Sequence, residues 1–156
     1  MSDLDLIPQS NHLLTTSQNS DEATIRQLTE EWFKGWSPGT DKFDIEKLRT
    51  LFAQNEGEIL VFDNIGASVV ILHSWDEYRR TWEPFMEQFS DWAIRPEGEI
   101  QVMVDSNLAV TTFTLVASGR YKDGREIAAK QHATHVWRKQ THQWVIVHEH
   151  LTVGNK

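Results

Sequence analysis

Titratable side chains occur in two C-terminal segments whose other residues are typical of buried β-strands. Burying such groups in an apolar sheet is costly unless they are hydrogen-bonded, paired or facing a cavity. The sequence therefore predicts a pocket or a polar interface in this part of the chain. The residues concerned lie within 130–153 and are His132, His135, His148, Glu149 and His150.

The residues of the final strand divide between the two faces of a sheet, because successive side chains of a strand point in opposite directions. Glu149 and Leu151 share one face, and Ile146, His148 and His150 share the other. A shift of one residue in the register would exchange the two faces. Alternation therefore separates Glu149 from the two neighbouring histidines.

Two histidines at positions i and i+2 of one strand, His148 and His150, could chelate a metal ion. A structural or catalytic zinc site needs at least a third protein ligand, and none can be placed beside them from the sequence. The chain also has no cysteine. We therefore expect these histidines to be polar core or interface residues, and we expect no metal and no cofactor.

A further carboxylate, Asp63, ends a short predicted strand at 58–63 (EILVFD). An apolar pocket would raise the pKa of this carboxyl group and make it a usable base near neutral pH. Alternatively, Asp63 accepts backbone hydrogen bonds in the turn that Asn64 and Gly66 predict. The sequence leaves both interpretations open.

Three helices are expected to precede the long strands. Ser20 is a suitable N-cap for the first, a second begins near Asp44, and the capping box of Ser74 and Glu77 opens the third. Pro84 should kink or shorten that third helix. The first helix presents one apolar stripe of Ile25, Leu28, Trp32, Phe33 and Trp36.

Strand patterns dominate the second half of the chain, after Trp92. Alternation at 100–105, a long run at 108–121 and two further runs at 125–138 and 143–153 predict four antiparallel strands. Helices followed by strands indicate an α+β domain in which three N-terminal helices pack on one face of a strongly curved antiparallel sheet.

Length and charge restrict the class of protein. The chain has 156 residues and a formal net charge of −8, so we expect one domain at 21–156, preceded by a flexible tail at 1–20. Without a Lys/Arg-rich segment, binding of nucleic acid is not expected. There is no apolar stretch long enough for a membrane span and no secretory signal pattern, so we expect a cytoplasmic protein without membrane contact.

The order of elements resembles that of the NTF2-like superfamily, the cone fold of SnoaL-like and ketosteroid-isomerase-like proteins. Its closing hairpin is similar to that of small SnoaL-like proteins, through the pattern W-x-x-x-H-x-H-x-[ST], and to that of the association domain of calcium/calmodulin-dependent kinase. The segment 61–66 (VFDNIG) resembles the isomerase strand that carries the catalytic aspartate. The residues of the hairpin pattern are Trp144, His148, His150 and Thr152.

The resemblance implies roles for particular residues. Asp63 takes the position of the catalytic base, and His135 takes that of the second isomerase acid, where it would hydrogen-bond the oxygen on which charge develops. By similarity to the association domain, the cavity should contact Glu149, Leu151, His135 and Trp137. The oxyanion tyrosine of the isomerases has no visible counterpart, because the first helix carries tryptophan and phenylalanine instead.

Aromatic residues on helices usually pack in the core, but some of these could wall a ligand cavity. The candidates are Trp32, Trp36, Trp82 and Phe85. The resemblance thus favours a small-molecule-binding protein, dimeric through the outer face of its sheet, with proton-transfer chemistry of the isomerase or cyclase type at Asp63. A non-catalytic oligomerisation or ligand-sensing module is the alternative. Hydrolysis of an epoxide or ester by water activated at Asp63 is a weaker one.

Overall fold

The computed structural model describes residues 3–66 and 68–154, with side chains from residue 18 onward. Two helices come first, followed by a short pair of strands, a third helix and four long strands. The helices are α1 (Asp3–Gly35), α2 (Glu46–Arg49) and α3 (Trp75–Glu87). The strands are β1 (Leu60–Asp63), β2 (Val70–Leu72), β3 (Phe89–Asp105), β4 (Leu108–Tyr121), β5 (Glu126–Gln140) and β6 (Gln143–Val153).

The six strands form one mixed sheet in the order β2-β1-β6-β5-β4-β3. The four long strands form an antiparallel meander, as predicted, and β2 pairs antiparallel with β1. In addition, β1 lies parallel to β6, with Asp63 opposite Leu151, so the antiparallel meander is extended into a mixed sheet. Helix α3 lies between β2 and β3 in the chain, so β1 reaches β6 by a long connection instead of a hairpin.

The sheet has three register shifts: one at the start of β3, between Phe89 and Asp91, and two within the long strands. The register between β3 and β4 shifts between Glu97 and Gln101, where Gly98 has a φ of +77° that suits glycine. A second shift lies opposite Val136 and Trp137. Bulges bend a strand and increase its twist, and together these two give the sheet the curvature of an open α+β cone.

The second bulge also changes which residues of β6 face inward. His135 pairs with Glu149, whereas Trp137 pairs with Ile146. His135 and Trp137 share a face of β5, so Ile146 lies on the same face as Glu149 although the two are three residues apart. Simple alternation placed Ile146 on the outer face, and that prediction is wrong because the bulge inserts one extra residue.

The first helix differs from the prediction at its start. It begins at Asp3, and Ser20 lies inside it, where its carbonyl accepts a hydrogen bond from Thr24. Ser20 is therefore not an N-cap, because the helix continues through the preceding polar residues. None of the described helices has the length and apolar character needed to cross a membrane.

The third helix begins as the capping box predicts. Ser74 Oγ accepts the backbone N–H of Glu77 at 3.1 Å, and Glu77 Oε2 accepts the N–H of His73 at 2.7 Å. Pro84 is accommodated inside the helix, which continues to Glu87. The helix buries Trp75, Tyr78, Trp82 and Met86 on the concave side of the sheet.

Candidate active site

Hydrogen bonds hold the loop after α1 against the start of β3. Beyond α1, Gly39 and Trp92 exchange both backbone hydrogen bonds, at 2.9 and 3.1 Å. Ser37 adds a further pair of hydrogen bonds to the backbone of Ile94. These contacts hold Trp36 of the loop after α1 close to Trp92 of β3.

Gly119 on β4 lets the Trp92 indole lie directly on the sheet. A Cβ atom at this position would lie 2.6 Å from Trp92 Cε3, which is closer than atoms can approach without a shift of the ring. Glycine in a strand commonly marks such a close approach. The position of the Trp92 ring therefore depends on the absence of a side chain at residue 119.

A cavity lies between the helices and the concave face of the sheet. Its volume is about 30 Å³, well below the roughly 300–1,000 Å³ of small-molecule sites, so a ligand would enter only if side chains of the wall move. Its wall contains seven of the nine residues named from the sequence and five that were not. The seven are Trp32, Trp36, Asp63, Trp82, Phe85, Glu149 and Leu151, and the five are Ile65, Trp92, Ile94, Leu115 and Gln131.

His135 and Trp137 do not line the cavity, in contrast to the expectation from the resemblance. His135 is fully buried behind Glu149, and the indole N–H of Trp137 donates to Thr111 Oγ1 at 3.1 Å. Both point to the concave side, but helix α1 packs over them with the ring of Trp32, which lies 4.8 Å from that of His135. Direct contact of His135 with a ligand is therefore not supported.

Glu149 is the centre of a buried hydrogen-bond network. Its Oε1 accepts the Tyr78 hydroxyl at 2.9 Å, and its Oε2 accepts the Trp32 indole N–H at 3.0 Å. His135 Nε2 lies 2.8 Å from Oε2, so the predicted pair across adjacent strands is confirmed. Three elements, α1, α3 and β5, thus each supply a donor that holds this carboxylate in place.

Tyr78 is not a counterpart of the oxyanion tyrosine of the isomerases, because it does not line the cavity. It comes from α3 and not from α1, and its hydroxyl is directed at Glu149. Burial and the neighbouring charge of Glu149 raise the pKa of Tyr78 well above its usual value, so it stays a neutral donor. The signal in the sequence was a tyrosine within the apolar stripe of a capped helix, because a buried hydroxyl needs a partner.

Asp63 both accepts hydrogen bonds in its turn and lines the cavity. Its Oδ1 accepts the backbone N–H of Ile65 at 2.8 Å, closing the turn, and the Gln131 side-chain amide at 3.3 Å. It also lines the cavity, with 7% of its surface exposed. Burial, reinforced by the charge of Glu149 and opposed by these hydrogen bonds, raises the pKa of Asp63 from 3.8 to about 7.

Asp63 and Glu149 therefore share one cavity but differ in their surroundings. Parallel pairing places Val61 opposite Glu149 and Asp63 opposite Leu151, so both carboxyl groups are on the inner face. Among the described residues of the cavity wall there is no lysine or arginine. An arginine beside the carboxyl groups, which would support hydrolysis of an epoxide, is accordingly absent from the described residues of the cavity wall.

His148 and His150 lie on the outer face, as strand alternation predicted. His148 Nδ1 donates to the Leu60 carbonyl at 2.7 Å, and Phe62 contacts both imidazoles edge to face. Within the described residues, no group of three or more potential metal ligands includes them. Their contacts are those of histidines that join β6 to β1.

The open, curved sheet with helices on its concave side and an acidic, aromatic cavity defines an NTF2-like cone. The model of the SnoaL-like domain family matches residues 25–155. The chain therefore belongs to the SnoaL-like family of this superfamily.

Solved structures with the same fold include proteins with different described roles. An NTF2-like superfamily protein from Salmonella enterica has a TM-score of 0.76 and 18% identity over 88% of this chain and 94% of its own. The CaMKII hub of S. rosetta has a TM-score of 0.66 and 17% identity, covering 85% and 96%. A candidate ketosteroid isomerase from Shewanella frigidimarina has a TM-score of 0.63 and 22% identity, covering 81% and 92%.

None of the curated proteins compared with the chain matches it significantly in sequence. At these identities the solved structures establish the fold alone, which hosts several activities. The function has to be argued from the cavity.

Proposed function

We propose that the cavity binds a small, partly apolar molecule and that Asp63 transfers a proton to or from it. The observation that carries this proposal is the position of Asp63, a buried carboxyl group in an aromatic cavity with a pKa of about 7. A general base is most effective when its pKa lies near the working pH. Isomerase or cyclase chemistry needs such a group beside an acidic C–H bond.

The hydrogen bonds of Asp63 suit this role. The bonds from Ile65 and Gln131 both use Oδ1, and the backbone of Asn64 adds a further hydrogen bond to the carboxyl group. The turn thus fixes the orientation of the carboxyl group, which would exchange a proton with the ligand. Ile65 and Gln131 would keep the side chain in place during the transfer.

Glu149 and His135 have a positioning role in this proposal. Glu149 touches the cavity, but three donors hold it, and its negative charge contributes to the raised pKa of Asp63. His135 acts through Glu149 and fixes its orientation. The oxygen that gains charge in a substrate would need a further donor.

Proton exchange with small ketones tests the proposal. We expect the protein to exchange α-protons of cyclohexanone or cyclohex-3-en-1-one for deuterium in D₂O, followed by NMR, with a rate that rises with pH through about 7. Asp63→Asn should lower the rate at least about 100-fold, as loss of a general base does. Asp105→Asn, at an exposed position on β3, is the matched control.

A variant Asp63→Asn that binds the ketone and exchanges it as fast as the unchanged protein would remove Asp63 from the mechanism. Binding without any exchange would instead favour a ligand-sensing module.

Association through the outer face of the sheet is the second part of the proposal. One row across this face aligns Met103, Val110, Val136 and His148. Met103 is 62% exposed, so the row ends in an uncovered apolar side chain. Exposed apolar rows flanked by polar residues are typical of interfaces, and here the neighbouring row contains Thr112, Thr134 and His150.

Light scattering at micromolar concentration tests the interface. We expect a dimer, which Thr134→Arg should convert to a monomer by placing an unpaired charge in the interface, while Thr24→Arg, at an exposed position on α1, leaves it unchanged. A ring of more subunits would favour the association-module alternative. A monomeric unchanged protein would contradict both forms of assembly.

A further inference from the structure

A second space, larger than the cavity beside Asp63, adjoins that cavity at Trp92. Its volume is about 780 Å³, within the range of roughly 300–1,000 Å³ for small-molecule sites. The segment 38–45 after α1, the last turns of α3 and the start of β3 line this space, and we call it the acidic cleft. Trp92 lines both spaces, so its side chain separates the acidic cleft from the cavity.

Hydrogen bonds fix the walls of the acidic cleft relative to one another. The two bonds exchanged by Gly39 and Trp92 join the segment 38–45 to β3, and the backbone N–H of Lys122 donates to the Gln88 carbonyl at 2.9 Å. The latter bond joins the turn after β4 to the end of α3. The acidic cleft is therefore a preformed feature of the fold, as ligand sites usually are.

The floor of the acidic cleft is apolar. It consists of Phe43, Met86, Phe89 and Trp92. The half-buried ring of Phe43 stacks on Trp36, with centroids 5.0 Å apart and an interplanar angle of 26°, and the rings of Phe89 and Trp92 are 4.6 Å apart. Side chains already held by their neighbours lose little freedom when a ligand binds. The floor therefore suits the hydrocarbon part of a ligand.

Five carboxylates form the rim of the acidic cleft. They come from the segment 38–45, from α3 and from β3, and are Asp41, Asp44, Glu83, Glu87 and Asp91. Two lysines, Lys42 and Lys122, line the same space, so an excess of negative charge remains. Among the described residues, the one ion pair recorded for these carboxylates joins Glu83 to Arg79 at 3.9 Å. The charge of the rim thus favours a cation and opposes an anion.

The carboxylates of the rim do not converge on a single point. Within the described part of the chain, no three potential metal ligands lie close enough together to hold a metal ion. A compact cation would therefore contact few of the carboxylates, and a single exposed ion pair is weak. An extended cation with several charges reaches more than one wall of the cleft and gains from each contact.

We propose that the acidic cleft binds a linear aliphatic polyamine, a small molecule whose ammonium groups are joined by short methylene chains. The methylene chains pack on the apolar floor, and the ammonium groups pair with carboxylates of different walls. The volume of the cleft accommodates such a molecule without movement of the protein. This site is separate from the cavity, so the inference does not depend on proton transfer by Asp63.

Three probes separate charge from chain length. Spermidine carries three ammonium groups on a chain of ten heavy atoms, 1,8-octanediol is an uncharged chain of the same length, and 1,4-diaminobutane carries two charges on a shorter chain. Calorimetry on the full chain at low salt should give the tightest binding for spermidine, at least about tenfold weaker binding for 1,4-diaminobutane and no detectable binding for the diol. Sodium chloride at about 0.3 M should weaken spermidine binding at least about fivefold, because salt screens exposed charges.

Two double variants of equal charge locate the site. Glu87→Gln with Asp91→Asn removes two carboxylates from the rim and should weaken spermidine binding at least about fivefold. Glu99→Gln with Asp105→Asn removes the same charge from exposed positions of β3 outside the acidic cleft, and should leave the affinity within about twofold of the unchanged protein. In NMR spectra, spermidine should shift the backbone amide resonances of the segment 38–45.

Equal losses of affinity in the two double variants would overturn the inference, because spermidine would then follow the net charge of the protein and not the acidic cleft. Absence of spermidine binding at millimolar concentration would do the same, as would amide shifts that leave the segment 38–45 unchanged. Equal affinity for spermidine and 1,4-diaminobutane would contradict pairing with several walls. Urea unfolding with an unchanged midpoint shows that each double variant is folded.

Discussion

The two carboxyl groups of the cavity have the same chemistry and opposite surroundings. Glu149 accepts hydrogen bonds from Tyr78, Trp32 and His135, and two hydrogen bonds to Asp63 use the same oxygen, Oδ1. Three donors fix the position of Glu149, whereas desolvation without enough donors favours the protonated form of the Asp63 carboxyl group. One end of the cavity is thus structural, and the other is able to exchange a proton.

Among the substitutions, the largest loss of stability is expected at Glu149. Glu149→Ala leaves the Tyr78 hydroxyl, the Trp32 indole and the His135 imidazole buried without an acceptor, and should lower the free energy of unfolding by about 3 kcal/mol. Glu149→Gln retains an acceptor oxygen and the side-chain volume, so its loss should be smaller. Urea unfolding at constant m-value measures both. Equal and small losses below about 1 kcal/mol would show that the network is not structural.

Asp63 should make the protein less stable as pH rises. Its pKa is 3.8 in the unfolded chain and about 7 in the folded protein, so between these values the unfolded state releases a proton that the folded state keeps. Stability therefore falls from about pH 4 to pH 7 and this contribution levels off above that range, with a total of order 4 kcal/mol as an upper bound from the pKa difference.

The difference in unfolding free energy between Asp63→Asn and the unchanged protein isolates this contribution. The variant should gain stability relative to the unchanged protein as pH rises from 4 to 7, and Asp105→Asn should show no such trend. A constant difference across this pH range would mean that Asp63 titrates alike in both states.

The smallest loss of stability is expected when only one of the hydrogen-bond donors to Glu149 is removed. Tyr78→Phe removes one hydrogen bond to Glu149 and keeps the ring, which should cost about 1–2 kcal/mol, as for hydrogen bonds to charged groups. Tyr121→Phe is the matched control, because no hydrogen bond of its hydroxyl is recorded among the described residues. If both variants unfold at the same urea concentration, the Tyr78 hydroxyl does not support Glu149.

Sequence patterns predicted the strands well where local chemistry determines them. Leu108–Tyr121 and Gln143–Val153 have the bounds that β-branched runs and turn residues indicate, and Ser74 and Glu77 cap α3 as expected. Alternation also separated Glu149 from His148 and His150. These features depend on neighbouring residues, so the local sequence is sufficient to predict them.

Features that depend on distant contacts were missed. The parallel pairing of β1 with β6 and the bulge that turns Ile146 inward have no local signal. Likewise, Tyr78 reaches Glu149 across 71 residues of chain, and Trp92 enters the cavity wall because Gly119 leaves room for it. The spacing of apolar residues along α1 could not show that Trp32 would cover His135 of β5.

The protonation of Asp63 in the folded protein tests the central claim most directly. Carbon-detected NMR of the side-chain carboxyl, assigned by comparison with Asp63→Asn, should show a titration with a midpoint near pH 7. A midpoint near 4, the value of an exposed aspartate, would contradict the account, because Asp63 would then be fully ionised at neutral pH and too weak a base for the proposed proton transfer.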